Sequence, residues 1–401
     1  MTTKLMLLAA GPEQVPLIMA AKQCGVYTIV VDEDPTRPGM RLADKPVVLS
    51  ILNETRCVEL ARIERIDGVA TTALSLGIRT LGAIAEELGL PGLRRWSAYL
   101  TTDKIAMRQR LAEVGLPSPA FRVATDIPSA LQAIEDLSLP VIFKPPDGSG
   151  SRGVRWVQSV AEVPTAYQAA VAAVRSPERV GQVLVEKFVE GRDFGSEGFL
   201  IGETLRIVSI REMMLTPYPY RQEIGYLYPT RLALQEVERI HNYLRAAALA
   251  LGLRDTAFHA DFKVDKTGQP VLIEMGARLP GYGLAVDFIP HATGIDLFRG
   301  LIDIALGRPL NLPEPKQNPT VMLFFQFKPG KLKTEINLDD VLEKPGIVCV
   351  RCNLKPGDTI LPITDGSSAI RNGYVVTTGK TVAEAEYRAQ EVVANLHVEI
   401  E

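Results

Sequence analysis

Two neighbouring segments in the middle of the chain are Phe-His-Ala-Asp-Phe-Lys-Val at 258–264 and Val-Leu-Ile-Glu-Met-Gly-Ala-Arg at 271–278. Polar and apolar residues alternate in the first segment and the second is a mostly apolar run, which predicts two β-strands. Thr267 and Gly268 lie between them, in a stretch that is typical of a tight turn. We therefore expect a β-hairpin whose first strand has one polar and one apolar face.

The polar face of this hairpin carries two acidic residues. Strand pairing that is symmetric about the turn places Asp261 opposite Glu274 and His259 opposite Gly276. Two carboxylates that face each other repel, and this repulsion costs stability. A divalent cation removes that cost, and carboxylate oxygens suit a Mg²⁺ ion bound to a nucleotide. The hairpin therefore predicts a magnesium site.

A solvent-exposed hairpin face is the alternative interpretation. On such a face, Lys263 and Arg278 would neutralise the two acids without any bound ion. Because Phe262, Ile273 and Met275 are apolar, we expect a buried sheet and favour the metal site over the exposed face.

A loop of small residues, Asp-Gly-Ser-Gly-Ser-Arg-Gly at 147–153, follows the apolar strand predicted at 141–144. Small residues let backbone N–H groups close over phosphate oxygens, and Arg152 adds positive charge. The loop is not a Walker A motif, because no Gly-Lys-Ser or Gly-Lys-Thr follows it. A mobile surface loop has the same composition, but Lys144, which ends the apolar strand beside the loop, favours a phosphate partner.

The segment Val-Glu-Lys-Phe-Val-Glu-Gly-Arg-Asp at 185–193 mixes apolar and acidic residues at the end of another predicted strand. Backbone groups there would clamp an adenine, with a carboxylate on the ribose. Taken alone, the segment is equally a strand that leads into a turn.

The first hundred residues alternate strand and helix patterns, which predicts a doubly wound parallel sheet. The stretch Ala-Ala-Gly-Pro-Glu at 9–13 follows the first strand, and Asp32 comes about 20 residues later, as in a dinucleotide site. The other glycines of that motif are missing, and Pro12 and Glu13 stand where the backbone would meet a pyrophosphate. We therefore expect a Rossmann-like sheet that borders another site, and we disfavour bound NAD.

The rest of the chain gives coarser signals. A linking helix is expected at 98–120, capped by Thr101 or Thr102. A proline-rich linker spans 309–319, and the residues after it predict a small α+β module. The segment 213–228, rich in tyrosine and proline, is either a substrate loop or a lid that packs on the C-terminal module.

The composition is that of an ordinary globular protein with two or three domains over 401 residues. The 44 basic and 47 acidic residues give a net charge of −3, so there is no electrostatic reason to expect nucleic acid or a membrane as partner. No apolar run is long enough to span a membrane, and we expect a cytoplasmic enzyme. Cys349 and Cys352 form a lone C-x-x-C pair; we expect ordinary thiols and disfavour zinc or redox use.

Together and in this order, these elements resemble the ATP-grasp superfamily of ATP-dependent carboxylate–amine ligases. The resemblance covers the whole chain and implies an α/β and α+β multidomain protein with the ATP-grasp fold. It implies a Rossmann-like pre-ATP-grasp domain at 1–98, a two-lobed ATP-grasp domain at 99–310 with its hinge near 186–191, and a small C-terminal α+β module at 311–401.

The resemblance also implies roles for single residues. Arg278 and Lys144 would be catalytic, and Asp261 and Glu274 would bind Mg²⁺, with two ions expected and Mn²⁺ as an alternative. The ATP-binding residues would be Lys104, Lys144, Gly148, Ser149, Gly150, Ser151, Gly153, Glu186, Lys187, Phe188, Val189 and Asp193.

One departure from the superfamily narrows the resemblance. The usual pattern is Glu-x-Asn, but this chain has Gly276 two residues after Glu274, which leaves one metal ligand to water or substrate. A His-x-acid-x-Lys strand with a small residue in place of the asparagine looks like the L-amino-acid ligases, a group that includes the bacilysin-type dipeptide ligase. That likeness implies amino-acid substrates and a homodimer, with substrate contacts from His259, Arg278, Gly281 and Tyr282.

Three other functions are weighed against an amino-acid ligase. The first is an ATP-grasp ligase of nucleotide or cofactor biosynthesis, which Gly276 and the His259 strand disfavour. The second is an NAD-dependent oxidoreductase, which the missing glycines disfavour. The third is a nucleotide sensor, which the intact set of lysines, acids and Arg278 disfavours.

Overall fold

The computed structural model describes residues 2–401. Its first part contains β1 (Lys4–Leu8), α1 (Val15–Gln23), β2 (Tyr27–Asp32), α2 (Pro38–Leu42), β3 (Lys45–Val48), α3 (Glu54–Glu64), β4 (Gly68–Ala70), α4 (Ile78–Glu87) and α5 (Arg95–Thr102). The four strands form a parallel sheet in the order β3-β2-β1-β4. Because helices cover both faces, the central strands are apolar and buried throughout. The predicted doubly wound sheet is confirmed.

The linking helix predicted at 98–120 is present but shorter, and its start and its cap differ from the prediction. The chain forms two helices there, α5 and α6 (Lys104–Glu113), which meet at Asp103. The hydroxyls of Thr101 and Thr102 do not cap a helix, since they donate back to carbonyls within α5. The Asp103 carboxylate caps α6 instead, because it accepts the N–H of Ala106 at 2.9 Å.

The next part is a small lobe built on a four-stranded antiparallel sheet. Its elements are β5 (Phe121–Ala124), α7 (Ile127–Leu137), β6 (Val141–Lys144), β7 (Arg155–Val157), α8 (Val163–Ala173) and β8 (Val183–Lys187). The strands run in the order β5-β8-β6-β7. Apolar residues of α7 and α8 pack on one face of the sheet and form a core of their own.

The large lobe follows with longer strands. Its elements are β9 (Arg192–Ile201), β10 (Thr204–Leu215), β11 (Glu223–Tyr228), α9 (Leu234–Ala250), β12 (Thr256–Val264), β13 (Pro270–Gly276), a π-helical turn (Leu284–Phe288), α10 (Ile289–Thr293) and α11 (Leu297–Ala305). The segment 213–228, expected to be a loop, lies mostly in β10 and β11, and only 216–222 remains as a turn between them. β10 and β11 pair with each other, and β11 also pairs with β14, which lies about 90 residues later in the chain.

The C-terminal part adds β14 (Thr320–Phe324), β15 (Gly330–Lys331), α12 (Asp339–Leu342), β16 (Ile347–Arg351), β17 (Thr359–Ile360), α13 (Gly366–Asn372), β18 (Tyr374–Thr378) and α14 (Val382–Asn395). Three of these strands continue the sheet of the large lobe, whose full order is β13-β12-β9-β10-β11-β14-β18-β16. The α+β character expected for this part is therefore present, but its strands share hydrogen bonds with the large lobe.

None of the helices within residues 2–401 combines the length and the apolar character that a membrane crossing requires.

The shared sheet generates a prediction about stability. Met322 lies in β14, between β11 and β18, and is fully buried among residues of both parts. Met322→Ala should lower the free energy of unfolding by about 2–5 kcal/mol, measured by urea denaturation. Because the sheet is continuous, the midpoint of the main transition should fall. The control is Leu342→Ala, at an exposed position of α12; a shift confined to a separate minor transition would contradict the continuous sheet.

Candidate active site

A cleft with a volume of about 160 Å³ opens between the small lobe and the large lobe. Most residues with a predicted role in binding ATP or metal line it: Lys104, Lys144, Gly148, Ser149, Gly150, Ser151, Glu186, Lys187, Phe188, Val189, Asp193, Asp261 and Glu274. Gly153 lies apart from the cleft wall, against α8, where an added Cβ would come within 2.8 Å of the Ala169 carbonyl oxygen. The absence of a side chain at this position lets the end of the loop pack closely against α8.

The first feature of the cleft is a buried group of charges around Glu186. One carboxylate oxygen of Glu186 accepts from Lys144 Nζ at 2.7 Å, and the other accepts from Arg108 Nε at 2.7 Å. Arg108 also donates to the carbonyl oxygen of Ile273. Burial lowers the pKa of Lys144 to about 8, and the nearby Arg108 guanidinium adds to that effect. Sequence reasoning missed Arg108, because nothing in the sequence of α6 distinguishes it from Arg110, which is only partly buried.

The second feature ties the glycine loop to α6. The backbone N–H of Lys104 donates to the Pro146 carbonyl oxygen at 2.7 Å, and Lys104 Nζ donates to the Gly148 carbonyl oxygen at 2.9 Å. The same ammonium lies 3.3 Å from a carboxylate oxygen of Glu274. Lys104 therefore stands between the loop and the acid, where a phosphate would be held.

The predicted strand register at the paired acids is confirmed. Asp261 lies opposite Glu274 and His259 lies opposite Gly276. The pairing between these residues and the turn is not symmetric. Ile273 is an extra residue on β13 and forms a β-bulge, so Phe262 pairs with Leu272. The carbonyl oxygen of Ile273 is free of the strand ladder and accepts from Arg108 instead.

The two acids differ in their protonation. Burial raises the pKa of Asp261 to about 6. Burial also acts to raise the pKa of Glu274, but Lys104, Lys144 and Arg278 outweigh it and hold the pKa below its usual value. Sequence reasoning missed Glu223, a further acid on β11 that lines the cleft and adds to the negative charge around Asp261.

The fit of a metal ion can be tested on these acids. Among residues 2–401, no three side chains of His, Cys, Asp or Glu come close enough together to form a complete metal cluster. Asp261 Oδ1, however, is buried and has no hydrogen-bond partner. Its nearest side-chain nitrogens are His259 Nε2 at 3.5 Å and Arg211 Nη2 at 3.7 Å, and a buried carboxylate oxygen without a hydrogen bond is costly. A cation bound between Asp261 and Glu274, with water and phosphate oxygens as its other ligands, satisfies that atom, so the donor set fits Mg²⁺.

His259 lies in a buried network beneath the metal acids and does not line the cleft. Its Nδ1 is 3.0 Å from a Glu197 carboxylate oxygen, which also lies 2.9 Å from Arg211 Nη2. Burial would raise the pKa of Glu197, but the charges of Arg211 and His259 outweigh it and lower the pKa to about 2. Arg211 is 3.7 Å from Asp261, and its guanidinium lies 4.4 Å from the centre of the Tyr226 ring. Through Arg211, the network therefore helps to hold the Asp261 carboxylate in place.

Arg278 and Tyr282 do not line the cleft; they contact residues of the N-terminal part of the chain. Arg278 Nε donates to Ser75 Oγ at 3.2 Å, and the backbone N–H of Tyr282 donates to Glu13 Oε1. Gly281 allows this approach, because a Cβ there would lie 2.6 Å from the Glu13 carboxylate. Burial raises the pKa of Glu13. Sequence reasoning weighed 9–13 only as a dinucleotide site; the structure places Glu13 against the backbone of Gly281 and Tyr282 instead.

The Tyr282 hydroxyl reaches the glycine loop. A Cβ added at Gly150 or at Gly366 would lie 2.4 Å from this hydroxyl oxygen. The N–H of Gly366, the first residue of α13, donates to the Gly150 carbonyl oxygen at 2.9 Å. The C-terminal part therefore contacts the loop that covers the cleft.

The adenine end of the cleft lies at the predicted hinge. The N–H groups of Lys187 and Phe188 donate to the carbonyls of Ala120 and Pro140. Within residues 2–401, the N–H of Val189 has no hydrogen-bond partner, so it is available to a base. Asp193, predicted to bind the ribose, forms ion pairs with Arg221 at 2.8 Å and Lys263 at 2.7 Å.

Family models match two parts of the chain. One described as the ATP-grasp domain matches residues 137–286, and one described as the L-amino acid ligase C-terminal domain 2 matches residues 323–401. A D-alanine–D-alanine ligase from Gloeobacter violaceus is 30% identical over 244 residues, which cover 58% of this chain and 77% of that protein. An uncharacterised protein of Sinorhizobium fredii, y4rH, is 28% identical over 333 residues, 82% of this chain and 68% of that protein.

Solved structures share the whole fold. An L-amino acid ligase from Bacillus licheniformis aligns with a TM-score of 0.86 and 22% identity over 100% of this chain and 99% of that chain. An N5-carboxyaminoimidazole ribonucleotide synthetase from Thermotoga maritima aligns with a TM-score of 0.75 and 19% identity over 100% of both chains. At these identities, the comparison establishes the fold alone.

The fold and the cleft together define an ATP-dependent ligase that joins a carboxylate to an amine. The chain belongs to the ATP-grasp family, and its last part matches the C-terminal domain of L-amino acid ligases. The predictions of this family and of its multidomain α/β fold are confirmed.

The low pKa of Lys144 generates a prediction about pH. Because burial lowers this pKa to about 8, the ammonium is charged below pH 8 and loses its charge as the pH rises above 8. We expect the Kd for Mg-ATP to be constant from pH 6.5 to 8 and then to rise about tenfold per pH unit, measured by calorimetry. Lys144→Arg keeps its charge and should remove this dependence, whereas a wild-type Kd that is flat up to pH 10 would contradict it.

Gly276 generates a prediction about the missing metal ligand. A Cβ there would meet Arg278 side-chain atoms at 3.7 and 3.9 Å and the His259 carbonyl oxygen at 4.0 Å, which are ordinary contacts. Gly276→Asn should therefore fold with an unchanged melting temperature and lower the Mg²⁺ concentration needed for half-maximal ATP turnover severalfold. Gly198→Asn is the control for strand glycines, because a Cβ there would lie 2.1 Å from a carbonyl oxygen of Arg206 and should prevent folding. Loss of folding in Gly276→Asn would show that the space is not available.

Proposed function

We propose that the protein joins the carboxylate of one amino acid to the amine of another and consumes ATP. The observation that carries this proposal is a group of opposite charges next to the cleft, where Glu13 accepts the backbone N–H of Tyr282 and lies within electrostatic reach of the Arg278 guanidinium. A cation and an anion in one place match the two charges of an amino acid. The match of the last part of the chain to an L-amino acid ligase domain supports the same substrate class.

The proposed reaction has two steps. A carboxylate oxygen of the first amino acid attacks the γ-phosphorus of ATP, the bond to the ADP oxygen breaks, and an acyl phosphate forms. The amine of the second amino acid then attacks the acyl carbon, phosphate leaves, and the amine loses a proton. Neither step needs a nucleophile from the protein.

The side chains of the cleft stabilise charge during these steps. Lys104 and Lys144 hold the phosphates from two sides, and backbone N–H groups of the glycine loop face the transferred group. Mg²⁺, when bound by Asp261 and Glu274, neutralises charge on the phosphate oxygens. Arg278 stabilises the acyl phosphate and the oxyanion that develops when the amine attacks.

A ligase of nucleotide biosynthesis is the second candidate, and the structural likeness to the carboxyaminoimidazole ribonucleotide synthetase favours it. A substrate with a ribose phosphate needs cationic partners at its phosphate. Arg278 instead lies near Glu13. Burial raises the pKa of Tyr282 to about 12, and the negative charges of Glu13 and Glu223 add to that effect. Two acids repel a phosphorylated substrate, so this arrangement of charges fits a zwitterion better.

The deciding experiment measures phosphate release from Mg-ATP over a panel of single and paired amino acids, with products identified by mass spectrometry. We expect release only with particular pairs, together with the mass of a dipeptide. Release that requires a ribonucleotide substrate would support the second candidate, and absence of turnover with every substrate would contradict both.

The paired acids generate a prediction within this assay. Glu274→Gln keeps the shape of the side chain but removes the charge that faces Asp261 and Lys104. We expect kcat to fall at least about 100-fold, since removal of one electrostatic partner of a transition state has effects of that size. Glu203→Gln, in an exposed ion pair with Arg254, is the matched control and should keep wild-type kcat. A near-normal kcat in Glu274→Gln would show that the metal assignment is wrong.

A further inference from the structure

Three of the residues predicted to contact the substrates lie in a segment without regular structure: Arg278, Gly281 and Tyr282. β13 ends at Gly276, and the next regular element is the π-helical turn Leu284–Phe288. The hairpin fixes the start of this segment, so the contacts of the π-helical turn fix its end. Turns of this kind are rare in proteins and occur mostly at functional sites.

The backbone just before the π-helical turn has an unusual conformation. Tyr282 has a φ of +55° and Gly283 has a φ of +77°, so two successive residues lie in the left-handed region. A tyrosine rarely adopts this region, and it stays there only when surrounding contacts hold it. The Gly283 carbonyl oxygen accepts the N–H groups of Asp287 at 2.8 Å and of Phe288 at 3.2 Å. The backbone after Tyr282 is therefore tied to Asp287.

The Asp287 side chain is held by two strands of the C-terminal part. Arg351, the last residue of β16, donates to the two carboxylate oxygens of Asp287 from Nε at 3.1 Å and from Nη2 at 2.9 Å. Tyr374 lies opposite Arg351 in the pairing of β16 with β18, and its hydroxyl donates to the same carboxylate at 2.6 Å. Two paired strands thus fix one carboxylate with three hydrogen bonds.

An ordinary surface ion pair is the alternative interpretation of the contact between Arg351 and Asp287, and such pairs contribute little to stability. Pairing of both carboxylate oxygens with one guanidinium is stronger and more specific than a single contact. The Asp287 side chain is only 10% exposed, and Tyr374 is buried, with its ring edge-on against Phe324 at 5.7 Å. A Cβ at Gly283 would lie 2.2 Å from the Tyr374 hydroxyl oxygen, so this ring also contacts the backbone where the π-helical turn begins.

The other contacts of Tyr282 lie in distant parts of the chain. Its N–H donates to the Glu13 carboxylate, and its hydroxyl lies against Gly150 of the glycine loop. Only Gly283 separates Tyr282 from the π-helical turn, so a displacement of this turn would change both contacts at once. The interactions of Asp287 therefore reach the charged group beside the cleft through one residue.

We propose that Asp287 is a positioning residue and that Arg351 and Tyr374 act through it to place Tyr282 beside the amino-acid substrates. This inference deepens the proposed function and rests on it. The match to the ATP-grasp domain ends at residue 286, and Arg351 and Tyr374 lie in the segment that matches the C-terminal domain of L-amino acid ligases. The C-terminal part thus contributes to the affinity for amino acids through residues that do not contact them.

The test compares Arg351→Ala and Tyr374→Phe with the unaltered protein in the phosphate-release assay. Each variant removes one partner of Asp287, and neither replaces a residue of the cleft wall. We expect kcat/KM for an amino acid to fall about 10- to 100-fold, since a small displacement of a substrate-positioning group has effects of that size. Because kcat should stay within about threefold of wild type and the KM for ATP should not change, the loss should lie in the KM for the amino acid.

Two further variants separate this role from a structural one. Arg351→Lys keeps a cation at the Asp287 carboxylate and should restore part of the lost affinity. Arg231 also joins the large lobe to the C-terminal part, but it pairs with Glu386 on α14, at 3.2 Å, so Arg231→Ala should match wild type. An unchanged KM for amino acids in both Arg351→Ala and Tyr374→Phe would overturn the proposal. A fall in kcat alone would also overturn it, because that result indicates a loss of folded enzyme.

Hydrogen exchange measures the position of Tyr282 without any substrate. Since its N–H is bonded to Glu13, peptides that cover 279–283 should exchange faster in Arg351→Ala than in wild type or in Arg231→Ala. Equal exchange in the three proteins would overturn the positioning role, even if wild type forms a dipeptide.

The proposed function can fail separately. If wild type releases phosphate only with a ribonucleotide, the amino-acid substrates are wrong. Faster exchange at 279–283 together with a raised KM for that ribonucleotide in Arg351→Ala would then support the positioning role for a different substrate.

Discussion

The structure depends on one buried carboxylate. Glu186 accepts from Lys144 and from Arg108, and all three side chains are almost inaccessible to water. Arg108 then reaches the bulge residue Ile273 beside the metal acid Glu274. A buried charge is tolerated only when it is paired, so the loss of Glu186 would leave two cations without a partner. The strand of the small lobe, the linking helix and the metal hairpin are held together by this pairing.

The charged groups of the site form two layers. Lys104 and Glu274 line the cleft and face the space where phosphates and metal would lie. Below them, Glu197, Arg211 and His259 form a closed network, in which the pKa of Glu197 falls to about 2 because the positive charges outweigh its burial. That network supports Asp261 without being part of the cleft wall. A residue such as His259 can therefore matter for the site without contacting a substrate.

Sequence reasoning predicted what is local in the chain. The register of Asp261 with Glu274 followed from a short turn and a period of two, and the glycine loop followed from its composition. The residues that it missed act over long distances: Arg108 binds Glu186, 78 residues later, and Glu13 meets Tyr282, 269 residues later. The bulge at Ile273 was missed because alternation alone cannot show an extra residue, and Asp103 was missed as a cap because the preceding threonines gave the same signal. The strands of the C-terminal part were predicted, but their place in the central sheet was not. The pairing of β14 with β11 joins distant parts of the chain, and the sequence of neither strand indicates its partner.

The hydrogen bond between Gly366 and Gly150 has a consequence for protein engineering. Chimaeras of related enzymes are often joined in a linker without regular structure, such as the one before β14, so that one parent supplies the last part of the chain. Here such an exchange would replace Gly366, which donates to the Gly150 carbonyl and contacts the Tyr282 hydroxyl. It would also replace three strands of the central sheet. Recombination would have to carry the loop, Tyr282 and the start of α13 from the same parent, although they are far apart in the gene.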